Sequence, residues 1–300
     1  MTLQPNQTEA AVAAASGTRA ALFVGGFMTF CLLCYIQALL PIFSRECGVS
    51  PTQSSLALSL TSGVMAFALL LAGALSDAVG RKKIMFHSLF LSSALTLAMA
   101  FAPNWTTLLA VRLFMGISLC GVQSVAMAYM SEELDRSAFT LALGLFIGGS
   151  ALGGMFGRLF ASVVADHLGW RAAVAMIGLT GLCAALYFRR ALPPSRNFVP
   201  RGHSWNHFKT ELSSILADKG LLALFVVGFV VMSGFVTIYN YISYRLLSAP
   251  LSLSQTTVGF VSVSMFLATL APRSLAVSPT LIVEASSFGR SRFLCWQGSC

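Results

Sequence analysis

The stretch Gly73-Ala-Leu-Ser-Asp77-Ala-Val-Gly80-Arg81-Lys82-Lys83 closes an apolar run that begins near residue 53. An acid, two glycines and three consecutive cations at the lip of a hydrophobic segment need a setting that explains both. The rest of the chain supplies one. Of its 300 residues 56% are hydrophobic and 10% charged, whereas soluble domains carry about a quarter charged residues. Apolar runs of about 18 residues or more recur, each long enough to cross a bilayer core of about 30 Å. The fold class expected is all-α and polytopic.

Spans are expected over 20–43, 53–75, 84–102, 105–130, 138–165, 171–191, 221–247 and 254–272. With a cytoplasmic N-terminus, the inner side holds eleven cations: Arg19, Arg81, Lys82, Lys83, Arg136, Arg189, Arg190, Arg196, Arg201, Lys209 and Lys219. Only Arg45, Arg171 and Arg245 fall outside. That asymmetry obeys the positive-inside rule, so the net charge of +9 orients the chain and marks no nucleic-acid surface. The first span is too long for a signal-peptide core, and no cleavage is expected. Cys31-Leu-Leu-Cys34 lies inside a span and reads as packing; no metal or cofactor site is implied.

Ser50-Pro51-Thr52-Gln53 before the second span and Ser252-Leu253-Ser254-Gln255 before the eighth both read as capping boxes. Their separation of 202 residues also carries span one onto span seven, suggesting parallel half-repeats of six helices each. The offset then requires the 73–83 stretch to recur near 275–285. Leu275, Pro279, Ile282 and Val283 stand there instead, so the repeat stops. The last 30 residues hold six serines, three arginines and two prolines. The expectation is a chain joined near residue 271 to an unrelated tail, such as a shifted reading frame produces. The domains expected are a tail at 1–19, a six-helix bundle at 20–191, a central loop at 192–220, the start of a second bundle at 221–270, and the aberrant tail at 271–300.

The 73–83 stretch resembles the loop 2–3 signature of the major facilitator superfamily, G-x-L-a-D-r-x-G-r-k. That resemblance implies a transporter in the bacterial inner membrane, near the drug:proton antiporter branch. It would export a small solute by rocking two bundles, with the lipid bilayer, a small-molecule substrate and protons as partners. By the same resemblance the loop is a cytoplasmic latch of Gly73, Asp77, Gly80, Arg81 and Lys82. Arg81 would pair with an acid at the end of span four, where Glu132 is the best match. Gly73 is expected to admit a close helix and Gly80 the tight turn. Asp77, four residues before Arg81, stands within ion-pair reach of it.

Arg112-Leu-Phe-Met115-Gly116 resembles the span-four motif R-x-x-q-G, and Arg112 is expected to line the transport path or brace span one. Gly149, Gly153 and Gly157 recur at helical spacing and offer a groove to another helix. Gly149-Ser150-Ala-Leu-Gly153-Gly154 resembles the antiporter signature G-P-x-x-G-G, with Ser150 replacing proline; packing and hinge roles are both open. Arg158 is expected to snorkel toward Asp166. Gln37, Gln123, Tyr239 and Asn240 are candidate cavity groups. Two further readings are a truncated, inactive remnant of a transporter and an intramembrane enzyme. The second has only Ser150 to suggest a nucleophile, with His87 and His167 on other segments.

Overall fold

A computed structural model describes residues 5–193, 195, 213–260 and 263. The side chains of Asp77 and of residues 5–15 lie outside that description, as do the tail beyond 263 and most of the central loop. Contacts divide the chain into Met1–Val263 and Ser264–Cys300, and only the first unit falls within the described residues.

Its backbone is helical because a bilayer offers no partners to unpaired peptide groups. Seven long helices follow one another among the described residues: α1 (Pro5–Glu46), α2 (Pro51–Val79), α3 (Arg81–Met99), α4 (Trp105–Glu133), α5 (Arg136–Leu168), α6 (Trp170–Ala191) and α7 (Lys219–Leu247). Six are long and apolar enough to cross a membrane. The exception is α3, expected as a span over 84–102. Its apolarity is diluted by Ser88, Ser92, Ser93 and Thr96, all buried among α4 and α6 rather than offered to lipid. Ser92 Oγ donates to Ser118 Oγ at 2.9 Å, and Thr96 Oγ1 donates back to the Ser92 carbonyl at 2.8 Å. Side-chain hydroxyls hold this helix in place.

The connections are short and each has a local cause. Ser50 caps α2 as a full capping box: it accepts from the Gln53 amide at 3.2 Å, while Gln53 Oε1 accepts from the Ser50 amide at 2.9 Å. Gly80 ends α2 and starts α3 at φ +105, a conformation open to glycine at little cost. The second expected box is corrected. The helix after α7 begins at Gln255, and its cap is Ser254, whose Oγ accepts from the Thr257 amide at 3.1 Å. Gln255 donates instead to the Ala38 carbonyl of α1.

The helices alternate direction, so the bundle has an Arg81 end and a Glu46 end. Helix α1 lies along α5 and also touches α6, α2 pairs with α4, and α3 lies against α4 and α6. The core runs through Leu32, Tyr35, Ile36, Leu39, Met115 and Tyr129, all at most 1% exposed. Helix α7 meets this bundle only over its last turns. From Leu222 to Gly234 every residue is exposed, while Asn240 and Ser243 are buried.

Candidate functional site

At the Arg81 end the structure brings two expected residues together. Arg81 grips Glu132 with two hydrogen bonds, Nε to Oε2 at 3.2 Å and Nη2 to Oε1 at 2.8 Å. Such a forked pair is stronger and more directional than a single contact. Arg81 Nη1 also donates to Ser76 Oγ, which itself donates to the Gly73 carbonyl at 2.7 Å. One guanidinium therefore joins the end of α2 to the end of α4. Lys82 lines an open pocket of about 630 Å³ with Lys83, Phe86, His87 and Arg189. Burial, and then repulsion from Arg189, holds its ammonium below the ordinary lysine range. Gly73 departs from expectation: among the described residues nothing comes within 4 Å of where its Cβ would sit. No described helix crosses α2 there.

The glycines of α5 separate into two groups. A Cβ on Gly149 would lie 2.6 Å from the Phe23 carbonyl oxygen, on Gly153 1.9 Å from that of Phe27, and on Gly157 2.9 Å from that of Cys31. Three glycines one turn apart thus receive three carbonyls one turn apart on α1. Ser150 sits beside this groove, donating back to the Phe146 carbonyl at 2.8 Å. Gly154 packs more loosely: its Cβ would meet Arg158 Nη1 at 3.6 Å and, on α1, Cys34 Sγ at 3.7 Å and Phe30 Cδ1 at 3.9 Å, all ordinary contacts.

Of the two intramembrane arginines, Arg112 takes the bracing role, one of the two expected of it, and Arg158 departs from expectation. An arginine at mid-bilayer costs about 2.5–3.5 kcal/mol on insertion scales unless it finds partners. Arg112 is 0% exposed and finds them in the backbone. Its Nε donates to the Ala57 carbonyl at 2.8 Å, and its Nη atoms reach the Leu32 and Leu33 carbonyls at 3.5 and 3.4 Å. It ties α1, α2 and α4 together and acts as a brace. Arg158 does not snorkel to Asp166, whose carboxylate instead accepts from the Thr256 amide and hydroxyl. Arg158 turns inward, where Nε donates to Gln37 Oε1 at 2.6 Å and Nη1 to the Gly154 carbonyl at 3.0 Å. Its guanidinium lies 5.2 Å from the centre of the Tyr239 ring. Gln37 continues the chain, its Nε2 donating to Asn240 Oδ1 at 3.0 Å.

Four helices converge on this cluster, toward the Glu46 end. A cavity of about 10 Å³, room for roughly one water, is lined by Gln37, Arg158, Ser162, Tyr239, Ser243 and Gly259. Above it Tyr244 shares hydrogen bonds with Ser44, at 3.0 Å, and with Ser54. A Cβ on Gly259 would lie 2.6 Å from Ser162 Cβ. Trp170 Nε1 donates to Glu46 Oε2 at 2.6 Å. Sequence reasoning found Gln37, Tyr239 and Asn240 but missed Ser162, Tyr244 and Thr256. At the Glu46 end α7 and the helix after it are tied to α1, α2 and α5.

The whole arrangement has counterparts among known proteins. The sequence profile of the Major Facilitator Superfamily matches residues 22–289. The chain belongs to the Major Facilitator Superfamily. Over 244 residues it is 42% identical to the inner membrane transport protein YnfM of Escherichia coli (strain K12), covering 81% of this chain and 58% of that protein. The uncharacterized MFS-type transporter YybF of Bacillus subtilis (strain 168) is 40% identical over 245 residues, covering 82% of this chain and 61% of its own. The chain thus spans about three-fifths of the length of these relatives. Among solved structures, a bacterial homologue of the human lysosomal transporter Spinster, in an inward-facing and unoccupied conformation, gives a TM-score of 0.66 at 18% identity. It covers 83% of this chain and 58% of its own, a likeness of fold alone.

As a member of the superfamily the chain is a multi-pass protein of the bacterial inner membrane and no enzyme. The Ser150 hydroxyl donates to the Phe146 carbonyl of its own helix, His87 lies beside the Lys83 carbonyl, and His167 stands in the last turn of α5. Gln123 stands apart from the other cavity candidates. It belongs to α4, it is absent from the wall around Arg158, and its buried Nε2 has no partner among the described residues.

Proposed function

We propose that this protein carries a small organic solute across the inner membrane by alternating access, with export as the direction. The observation that carries the reading is the contrast along α7. Near the Glu46 end, hydrogen bonds through Gln37, Asn240 and Tyr244 bind it to α1 and α2. Over its first sixteen residues, about 24 Å at helical rise, no residue is buried. That α7 is held to α1 and α2 at one end and parts from them at the other supports a carrier open to one side. The positive-inside asymmetry supports a cytoplasmic setting for the Arg81 end. Residues 20–191 form the first bundle on this reading, and 221–270 begin the second.

Arg81 and Glu132 serve as one half of the cytoplasmic latch, with Gly80 shaping the turn and Asp77 beside it. Gly149, Gly153 and Gly157 keep α1 and α5 moving as one body. Drug-like solutes and a proton gradient are the substrate and driving force that the antiporter resemblance suggests.

The test is flux in oriented membrane vesicles containing the 300-residue chain, with labelled solutes supplied outside. Export predicts accumulation in inside-out vesicles, faster when a proton gradient is imposed. A chain that moves no solute in either orientation contradicts the proposal, and uptake alone reverses its direction.

A further inference from the structure

We infer that Arg158 is where the carrier takes the negative charge of its solute, a carboxylate, with Ser162 as a second hydrogen-bond donor. The inference rests on the carrier reading above and adds a substrate class to it.

The first ground is uncompensated charge. Arg158 is 8% exposed, and its partners are an amide oxygen, a backbone carbonyl and an aromatic ring, all neutral. Among the acids with described side chains, Glu46, Glu132, Glu133, Asp135, Asp166 and Asp218 all stand at or near helix ends. Asp166, on the same helix, is engaged by Thr256. Arg112 makes the contrast: three carbonyls surround it and it lines no cavity described here, whereas Arg158 faces one.

The second ground is independent of charge. Ser162 is 1% exposed and lines the same cavity, yet its Oγ has no hydrogen-bond partner among the described residues. A buried hydroxyl left unpaired is costly unless some state of the protein satisfies it. A carboxylate has two oxygens with which to accept, one from the guanidinium and one from this hydroxyl. A cationic solute would be repelled from the same place. In the present geometry the cavity of about 10 Å³ is too small for a carboxylate, so binding accompanies withdrawal of α7 and the helix after it from α5.

The experiment is a binding assay on the purified full chain in detergent, which does not depend on transport. Thermal stabilisation is recorded with monocarboxylates from acetate to 3-phenylpropionate, with 3-phenylpropionamide and 3-phenylpropylamine as neutral and cationic counterparts, and with sodium chloride. A carboxylate should bind about tenfold or more tightly than its amide, as sites built around a hydrogen-bonding group discriminate. Arg158→Lys should keep the preference and Arg158→Gln should abolish it. Ser162→Ala should leave the unliganded protein as stable as before or more so, and should weaken carboxylate binding several-fold. Equal or tighter binding of the amide or amine overturns the inference, as do absence of carboxylate binding and a preference that survives in Arg158→Gln. A shift reproduced in full by chloride assigns the site to an inorganic anion and overturns the carboxylate. Carboxylate binding without flux sinks the carrier reading but not the site; flux of neutral solutes without carboxylate binding does the reverse.

Discussion

Gln37 and Asn240 share a 3.0 Å hydrogen bond across 203 residues, joining α1 to α7. Gln37 also accepts from Arg158, so one amide links α1, α5 and α7.

The groove between α1 and α5 predicts a contrast between neighbouring glycines. Gly153→Ala should force the helices apart, because its Cβ would sit 1.9 Å from the Phe27 carbonyl oxygen. The expected loss is at least the upper part of the about 1–3 kcal/mol typical of overpacking. Gly148→Ala meets nothing within 4 Å and should raise stability by up to about 1 kcal/mol through helix propensity. Melting temperatures of the two variants in detergent check the pair.

The Arg81–Glu132 fork should be separable from folding of the bundle. Glu132→Gln should cost about 1–2 kcal/mol, since a charged hydrogen bond is replaced by a neutral one at a partly exposed site. The exchange Arg81→Glu with Glu132→Arg should restore part of that loss. If the single and double variants melt alike, the pair contributes nothing specific. A latch role predicts in addition that solute flux falls further than stability does.

Arg112 should be much more costly to remove than Arg158. Arg112→Ala empties a fully buried volume and releases α1 and α2 from α4, with a loss of about 2–5 kcal/mol expected by analogy with large core truncations. Arg158→Gln should cost much less, because an amide can still reach Gln37 across the small cavity. Chemical denaturation of both variants in one detergent decides. A larger loss at Arg158 would make it the brace.

Much of the architecture was legible in the sequence because a bilayer leaves the chain few choices. Long apolar runs must be helices, and the Gly80 turn and the Arg81–Glu132 pair join the ends of neighbouring elements. What could not be read depended on which way a side chain turns. Arg158 stands eight residues before Asp166, about 12 Å along the helix, and a long cationic side chain commonly leans toward the nearer interface. Its actual partner, Gln37, is 121 residues away and leaves no trace in local spacing. Ser252 and Ser254 both precede helix-like residues, and the choice between them was made by Gln255 reaching Ala38. A lone Gly73 does not reveal which face it presents. The α3 hydroxyls did carry a signal, since Ser88, Ser92 and Thr96 repeat every fourth residue, and that spacing marks the face turned to α4.

The most direct measurement of this junction at the Glu46 end uses Asp166 and Thr256, whose side chains meet at 2.7 Å between α5 and the helix after α7. Cysteines at both positions, with Cys47 replaced by serine, should oxidise to a disulfide in membranes. If the Glu46 end must open in each cycle, the cross-linked protein should lose at least about nine-tenths of its solute flux and regain it on reduction. Unchanged flux at complete cross-linking, or failure of the two thiols to join, would contradict the account.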